Sequence, residues 1–349
     1  MKAIVYHGPA DFRFEQAPDP ALRGSADAIV RVTRCAICGS DLHLWHGFAA
    51  QGQGFAVGHE FVGVVEEVGP AVRNVKRGDR VLAACTTGCG ACDYCRSGLY
   101  SGCRVTTAGG AQNVFGFSEA LPGGQAEAAR VPFADANLFP IPEAIDDERA
   151  VFLTDILPTA FMGVQMAEVA PGDVVVVFGC GPVGSLAQRC AELAGAARVV
   201  AVDLDAGRLA RARARGYETV QGAGDELLAR VQELTQGRGA DAVIEAVGRA
   251  ELLQRAVDLL RPGGRIAAIG VIVTPVELPY FGLFLRNITL RTGLVNPQRS
   301  IPALASLIAA GRLDPSEIVT HRLPLSEGVR GYQIFEAHRE DALKVVLQP

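Results

Sequence analysis

The sequence lacks any apolar stretch of the roughly 18 residues that a membrane-spanning helix needs. Its N-terminus, MKAIVYHGPADFRFEQ, also lacks the charged-then-apolar layout of a signal peptide. We therefore expect a cytoplasmic protein with no membrane partner. In that reducing compartment the nine cysteines are expected to be thiols or metal ligands rather than disulfides.

A basic surface is missing as well. The formal net charge is −5, and there is no run of basic residues and no basic amphipathic helix, so we expect no nucleic acid partner. Internal repeats and low-complexity linkers are also absent. What is present is a globular composition, about half hydrophobic, over 349 residues, a length that favours two domains.

The first 150 residues contain short β-branched runs separated by glycine and proline, a pattern typical of a compact, mostly β domain with irregular loops. The predicted strands are Ala28–Val32, Phe61–Val68, Arg80–Ala84 and Ala126–Val131.

From about residue 157 the pattern changes to apolar strands that alternate with helical stretches. This βαβ alternation predicts a parallel, doubly wound sheet. The predicted strands are Val174–Phe178, Arg198–Asp203, Ala242–Ala246 and Arg265–Val271, and the predicted helices are 183–194, 206–215, 225–236 and 250–261. After about 295 the sequence predicts a helix, 300–310, and two short strands, Val319–Leu323 and Lys344–Leu347. Periodicity alone does not decide which domain these elements join.

A dinucleotide-binding motif, G-x-G-x-x-G, joins the first of these strands to its helix. Its glycines permit a tight turn and close approach to a pyrophosphate, which would lie at the helix N-terminus. Asp203 ends the next strand, 24 positions after Gly179, where its carboxylate would accept the adenosine ribose hydroxyls and favour NAD over NADP. Arg208 weakens that preference because a guanidinium can bind a 2′-phosphate. The other predicted cofactor contacts are Gly179, Gly181, Pro182, Val183, Gly184, Ile269 and Val271.

Four closely spaced cysteines, Cys89, Cys92, Cys95 and Cys103, form the densest cluster of ligand-type residues. Four thiolates satisfy the tetrahedral preference of a structural zinc and leave no open coordination position. An iron–sulfur cluster is an alternative, but a hydride carrier needs no one-electron centre. Taken alone, the quartet would also fit a zinc-ribbon interaction module, which the acidic net charge argues against.

Two further segments complete a family pattern: Cys38-Gly-Ser-Asp-Leu-His43 and Gly58-His59-Glu60. With the quartet and the glycine motif, the chain resembles the zinc-containing medium-chain alcohol dehydrogenases along nearly its whole length. Pro122-Gly-Gly-Gln-Ala-Glu127, Arg130-Val-Pro-Phe-Ala-Asp-Ala-Asn137 and Leu153-Thr-Asp-Ile-Leu-Pro-Thr159 are most similar to the formaldehyde-dehydrogenase-like branch.

The resemblance implies a second, catalytic zinc. Its ligands would be Cys38 and His59, with Asp155 at the place of the third ligand, while Asp41 would orient His59. Glu60 lies beside the metal in relatives and would replace water there during ligand exchange. Whether Asp155 or Glu60 is the third ligand at rest stays open.

The same resemblance assigns roles around the reaction. Ser40 would take the proton of the alcohol and pass it through the cofactor ribose to His43, whose unperturbed pKa suits that task. Thr159 would contact the nicotinamide, and Lys344 the pyrophosphate. It also implies a GroES-like catalytic domain over 1–156 with a zinc lobe at about 85–105, a Rossmann domain over 157–294, and a return to the catalytic domain over 295–349.

The implied activity is reversible hydride transfer between a primary or secondary alcohol and NAD, with two Zn²⁺ per chain. The alternatives that share this chemistry are a polyol or sugar dehydrogenase and a formaldehyde dehydrogenase or dismutase. The expected partners are a small-molecule substrate and further copies of the chain, as a homotetramer or dimer.

Overall fold

The computed structural model describes residues 1–48, 50–108, 113–337 and 341–349. The chain divides into two compact units, one formed by Met1–Pro158 with Val295–Pro349 and the other by Thr159–Leu294. The predicted boundaries, after 156 and after 294, lie beside these division points. In the described part of the chain, every helix is too short or too polar to cross a membrane.

The first unit is built mainly from β-strands. They are β1 Lys2–Gly8, β2 Asp11–Gln16, β3 Ala28–Ile37, β4 Phe55–Ala56, β5 Glu60–Val68, β6 Arg80–Ala83, β7 Ala128–Val131, β8 Leu138–Pro140, β15 His321–Pro324 and β16 Val345–Gln348. One sheet has the order β2-β1-β4 and the other β15-β16-β3-β5-β6-β8, with β7 also paired to β3. Their apolar side chains pack with those of neighbouring segments in one core, in which Ile4, Phe61 and Tyr332 are fully buried.

Short helices connect these strands. They are α1 Asp41–Trp45, α2 Asp93–Arg96, α3 Ala134–Asn137, α4 Asp147–Ala150, α11 Ile301–Ala309 and α12 Gly328–Glu336, with 3₁₀ turns at Tyr100–Gly102, Val151–Thr154, Pro297–Arg299, Pro315–Ile318 and Leu325–Glu327. The boundary between the two units falls within α5, Ile156–Met166.

The second unit is a doubly wound α/β fold, as predicted. Its strands are β9 Val174–Phe178, β10 Arg198–Asp203, β11 Glu218–Gln221, β12 Ala240–Glu245, β13 Leu260–Ala268 and β14 Thr289–Thr292. All pair in parallel, in the order β11-β10-β9-β12-β13-β14, which is the order of a dinucleotide-binding fold. The helices are α6 Pro182–Leu193, α7 Ala206–Ala214, α8 Asp225–Leu234, α9 Ala250–Leu259 and α10 Tyr280–Leu285.

The tail, which periodicity alone could not place, belongs to the first unit. β16 pairs antiparallel with β3, and Val345 lies opposite Ile37. This pairing brings Lys344 next to the end of β3, where the first metal-ligand candidate begins.

Candidate active site

A cluster of ligand-type side chains forms where β3 and β5 meet in the first unit. Cys38 follows the last residue of β3, and His59 precedes Glu60, the first residue of β5. Because Ala36 pairs with Glu60 in the antiparallel ladder, these two strand ends lie side by side. The cluster also contains Asp155, which lies between the 3₁₀ turn Val151–Thr154 and α5.

The cluster has the dimensions of a zinc site. One ligand atom from each of Cys38, His59, Glu60 and Asp155 lies within 4.8 Å of the others, and all four residues are buried. The carboxylate Oδ2 of Asp155 lies 3.0 Å from His59 Nε2 and 3.5 Å from Cys38 Sγ. Tetrahedral coordination at ordinary Zn–N, Zn–O and Zn–S distances separates such atoms by about 3.4 and 3.6 Å. The residues present therefore fit the metal.

Asp41 sets the orientation of the His59 imidazole. Its Oδ1 lies 3.0 Å from His59 Nδ1, which leaves Nε2 facing Asp155. Burial opposes protonation of His59, but the charges of Asp41 and Cys38 and the hydrogen bonds to the two aspartates together raise its pKa well above the ordinary value. So many anionic groups around one imidazole are typical of a site for a cation.

Glu60 has a second partner that the sequence did not reveal. The ammonium of Lys344, fully buried, donates to Glu60 Oε2 and to the backbone oxygen of Ile37, the latter at 2.9 Å. The sequence predicted a contact of Lys344 with a pyrophosphate but not its pairing with Glu60. The pyrophosphate contact remains a prediction.

Ser40 immediately precedes α1, and His43 lies within it. The hydroxyl of Ser40 donates to Cys38 Sγ at 3.2 Å and lies 3.2 Å from His59 Nε2. Burial, with a smaller contribution from His46, lowers the pKa of His43. His43 is therefore neutral at neutral pH and able to accept a proton.

The cysteine quartet forms a separate cluster in the same unit. The four sulfur atoms lie within 4.8 Å of one another, which suits a single ion, whereas an iron–sulfur cluster must hold several irons between its cysteines. Cys89 N–H donates to Cys103 Sγ at 3.2 Å, and Cys92 N–H donates to Cys89 Sγ at 3.4 Å. Burial raises the pKa of Cys103, but hydrogen bonds, chiefly from Thr106, outweigh it and give a pKa of about 6.

The glycine motif of the second unit has the backbone of a dinucleotide loop. Gly179 has φ +95°, and a Cβ on Gly184 would lie 1.9 Å from the oxygen of Gly179, so both positions require glycine. α6 begins at Pro182 with Gly181 as its N-cap, and Val183 lies in its first turn. The N-terminus of this helix therefore faces the loop, as phosphate binding requires.

Asp203 is held against this loop. Its Oδ2 accepts the N–H of Cys180 at 2.7 Å, and its Oδ1 accepts the N–H of Leu204 at 2.7 Å and of Asp205 at 2.9 Å. The guanidinium Nη1 of Arg208 would lie 3.8 Å from a Cβ on Gly181, so positive and negative groups both border the loop.

The remaining predicted cofactor residues lie at other places in the second unit. Thr159 is the first residue of that unit, on α5. Ile269 and Val271 follow the carboxyl end of β13, and Val271 is half exposed. Ligands of doubly wound folds bind at this carboxyl edge of the sheet.

Sequence reasoning predicted Lys344 only as a cofactor contact, and it gave no role to two other residues that support the metal cluster. They are Gln125, whose Nε2 donates to Ala36 O at 3.1 Å and to Asp41 Oδ2 at 3.5 Å, and Tyr332, whose hydroxyl donates to Gln125 Oε1 at 2.8 Å. Gln125 lies in a segment that contributed to the resemblance, but no local pattern assigned it a partner.

Two family models and several known proteins match this chain. A family model for the alcohol dehydrogenase GroES-like domain matches residues 24–143, and one for zinc-binding dehydrogenases matches residues 182–310. An uncharacterized zinc-type alcohol dehydrogenase-like protein of Bacillus subtilis is 39% identical, with all of both chains covered. The NADP-dependent isopropanol dehydrogenase of Thermoanaerobacter brockii is 32% identical over 99% of this chain and 98% of its own. Among solved structures, an alcohol dehydrogenase from Thermus sp. ATN1 superposes with a TM-score of 0.93 at 40% identity, covering 100% of this chain and 99% of that one.

Proposed function

This chain belongs to the zinc-type medium-chain alcohol dehydrogenases, and from that membership we propose that it transfers hydride reversibly between an alcohol and NAD. In the forward direction an alcohol and NAD⁺ give an aldehyde or ketone, NADH and a proton. The observation that carries the proposal is the buried cluster of Cys38, His59, Glu60 and Asp155.

We assign Cys38, His59 and Asp155 as the ligands of a catalytic zinc, with Glu60 beside it. When bound, zinc lowers the pKa of an alcohol hydroxyl and stabilises negative charge on oxygen in the transition state. Three protein ligands leave the fourth position to the substrate. The quartet Cys89, Cys92, Cys95 and Cys103 would hold a second, structural zinc.

Ser40 and His43 would then remove the proton. The Ser40 hydroxyl lies beside two of the ligand atoms, so it is placed to accept the hydroxyl proton of an alcohol held there. The lowered pKa of His43 keeps its imidazole neutral and ready to receive that proton by way of the cofactor ribose.

The choice of NAD rests on Asp203. Its carboxylate is fixed at the glycine loop by three backbone N–H groups, where it would accept ribose hydroxyls and repel a 2′-phosphate. The remaining assigned contacts are Thr159, Gly179, Gly181, Pro182, Val183, Gly184, Arg208, Ile269, Val271 and Lys344. The NADP-dependent relative shows that a member of this family uses NADP, so the preference of this chain for NAD is to be tested directly.

We expect Asp203→Gly to lower the ratio of kcat/KM for NAD to that for NADP by about tenfold or more, the equivalent of one lost charged hydrogen bond. Initial rates with both cofactors measure this. Asp205→Asn is the matched control because it removes a neighbouring charge and keeps the cap of α7. An unchanged ratio in Asp203→Gly would mean that the ribose contact is misplaced.

For the substrate we propose a primary or secondary alcohol. The ring of Phe117 lies 5.8 Å from that of His59, an apolar neighbour that suits an alkyl group better than the further hydroxyls of a polyol. A polyol or sugar dehydrogenase and a formaldehyde dehydrogenase or dismutase stay as alternatives. Membership of the formaldehyde-dehydrogenase-like branch stays a prediction.

The decisive experiment is metal analysis of the wild-type protein and of Cys38→Ser, with turnover on a panel of alcohols. We expect two zinc ions per chain to fall to one and NAD-linked turnover to be lost. The control is Cys190→Ser, which changes a buried thiol on α6 and should retain both metals and turnover. One zinc in the wild type, or full turnover in Cys38→Ser, would contradict the proposal.

We further propose that copies of the chain associate through the second unit, as a tetramer or dimer. β14 ends the parallel sheet, and the neighbouring helix α10 exposes Tyr280, Phe281 and Phe284 by 65% or more. Two copies of an open strand edge can pair about a two-fold axis and cover such side chains. Sedimentation should give a mass well above the 36.7 kDa of one chain.

A further inference from the structure

Glu245 is a buried acidic residue of the second unit that none of the predicted sites includes. It is the last residue of β12 and is fully buried. Its Oε1 accepts the N–H of Val247 at 2.8 Å and of Gly248 at 2.7 Å, whereas Oε2 has no hydrogen-bond partner among the described residues. Burial outweighs the two hydrogen bonds and raises the pKa of this carboxyl group. A buried polar atom without a partner destabilises a fold, so the presence of an acid here calls for an explanation.

Glu245 binds two loops at the carboxyl edge of the parallel sheet. The first loop, 246–249, joins β12 to α9, and two of its N–H groups donate to the side chain of Glu245. The second loop, 269–271, follows β13, and the N–H groups of Ile269 and Gly270 both donate to the backbone oxygen of Glu245 at 2.9 Å. One residue therefore holds the first loop with its side chain and the second with its backbone.

The two loops also contact each other directly. Gly248 has φ +88°, and a Cβ on it would lie 2.6 Å from the oxygen of Val271. A Cβ on Gly270 would lie 2.2 Å from the nitrogen of Gly248 and 2.7 Å from Glu245 Oε2. Both positions therefore require glycine, and the second oxygen of Glu245 packs against the loop that its backbone binds.

Both loops border the proposed cofactor site. Val247 lies against the glycine motif, since a Cβ on Gly179 would come within 3.0 Å of its Cγ2. Ile269 and Val271, which we assigned as cofactor contacts, belong to the second loop. Ligands of doubly wound folds bind at this edge of the sheet. Because Glu245 is fully buried, it would act on a cofactor through these loops and not by direct contact.

Building on the proposed cofactor site, we propose that Glu245 is a positioning residue that sets the affinity for the cofactor by holding the loops 246–249 and 269–271 together. Loops that are fixed beforehand lose less conformational freedom when a ligand binds, so the ligand binds more tightly. Without the carboxylate, the N–H groups of Val247 and Gly248 lose their acceptor, and the first loop must be ordered by the cofactor itself.

The test is a calorimetric titration of the full-length protein with NADH, which requires neither an alcohol nor turnover. Glu245→Met fills a similar volume but offers no acceptor, and we expect the Kd for NADH to rise about tenfold, the equivalent of one charged hydrogen bond. Glu245→Gln keeps one oxygen for the two N–H groups. Since a neutral hydrogen bond has about half the strength of a charged one, its Kd should rise by no more than about threefold.

Asp241→Asn is the matched control. Asp241 is a second buried acid on β12, but it lies at the amino end of the strand, where its Oδ2 accepts the N–H of Val174 at 2.9 Å and its carboxylate pairs with Arg238 and Arg261. We expect this variant to lower the free energy of unfolding in denaturant and to leave the Kd for NADH unchanged. A loss of stability can therefore be distinguished from a loss of positioning.

Gly270→Ala preserves the test if Glu245→Met does not fold. Its added Cβ would force Glu245 and Gly248 apart, so we expect the Kd for NADH to rise in this variant as well. The same titrations can be made with NADPH, so the test of Glu245 does not depend on which cofactor the protein prefers.

A wild-type Kd in Glu245→Met, or in Gly270→Ala if the Met variant does not fold, would overturn the role of Glu245. An equal rise in Glu245→Met and Glu245→Gln would also overturn it, because the acceptor oxygen would then not matter. An equal rise in Asp241→Asn would do the same, since the effect would be a general loss of stability. A wild-type protein that binds neither NADH nor NADPH would instead overturn the proposed cofactor site, and the role of Glu245 with it.

Discussion

The two candidate metal-binding clusters of the first unit are assembled in opposite ways. The cysteine quartet comes from one short segment, and backbone N–H groups of Cys89 and Cys92 contact its sulfur atoms. The other cluster, called the mixed cluster because its ligand-type residues are of several kinds, brings Cys38, His59 and Asp155 together from three distant segments. Its side chains are positioned by contacts with other side chains, such as that of His59 with Asp41. One cluster needs only its local turn, whereas the other needs the folded sheet.

The difference extends to charge. Four like thiolates can saturate an ion, which suits a site that only stabilises the fold. Around the mixed cluster the charged side chains are themselves paired, Asp41 with His59 and Glu60 with Lys344. Such partners fix the orientation of the side chains in the cluster, as the residues that support a metal ligand do in reactive sites.

The largest expected effect comes from breaking the local cluster. In Cys103→Ser we expect the quartet to lose its zinc and the free energy of unfolding to fall by about 4 kcal/mol or more, the size associated with loss of a metal site. Metal analysis and denaturant unfolding measure this. Cys190→Ser, a buried cysteine outside both clusters, serves again as the control.

If the two clusters form independently, Cys103→Ser should keep its catalytic metal at a temperature where it remains folded, with turnover retained. Loss of both metals in the folded variant would show that the two clusters are coupled and do not form independently.

The same contrast explains what could be predicted from sequence. The quartet and the glycine loop were found from spacing, because their partners are neighbours in the chain. The buried strands Val174–Phe178 and Arg198–Asp203 were predicted with the observed bounds, since runs of valine between turns leave little choice. The short edge strands Glu218–Gln221 and Thr289–Thr292 were missed, because they carry few apolar residues.

Contacts between distant residues could not be predicted from pattern. Lys344 and Glu60 are brought together by the pairing of β16 with β3, and Tyr332 reaches Gln125 from α12. Nothing in the local sequence of either pair identifies its partner. The predicted ligand set around Cys38 depended on resemblance for the same reason.

The smallest effect is expected from changing a residue that orients a ligand of the mixed cluster. Asp41→Asn removes the charge that faces His59 Nδ1 at 3.0 Å, so the imidazole loses its fixed orientation and some of its basicity. We expect zinc affinity at the mixed cluster to fall by about 10- to 100-fold, with the quartet unaffected. Competition with a metal-binding dye, which resolves the two sites by affinity, measures both. Asp27→Asn is the matched control, because Asp27 is also buried and paired, with Arg130, outside the cluster. Equal weakening of both metal sites in Asp41→Asn would show a general loss of stability, and the claim that side chains tune only the mixed cluster would be wrong.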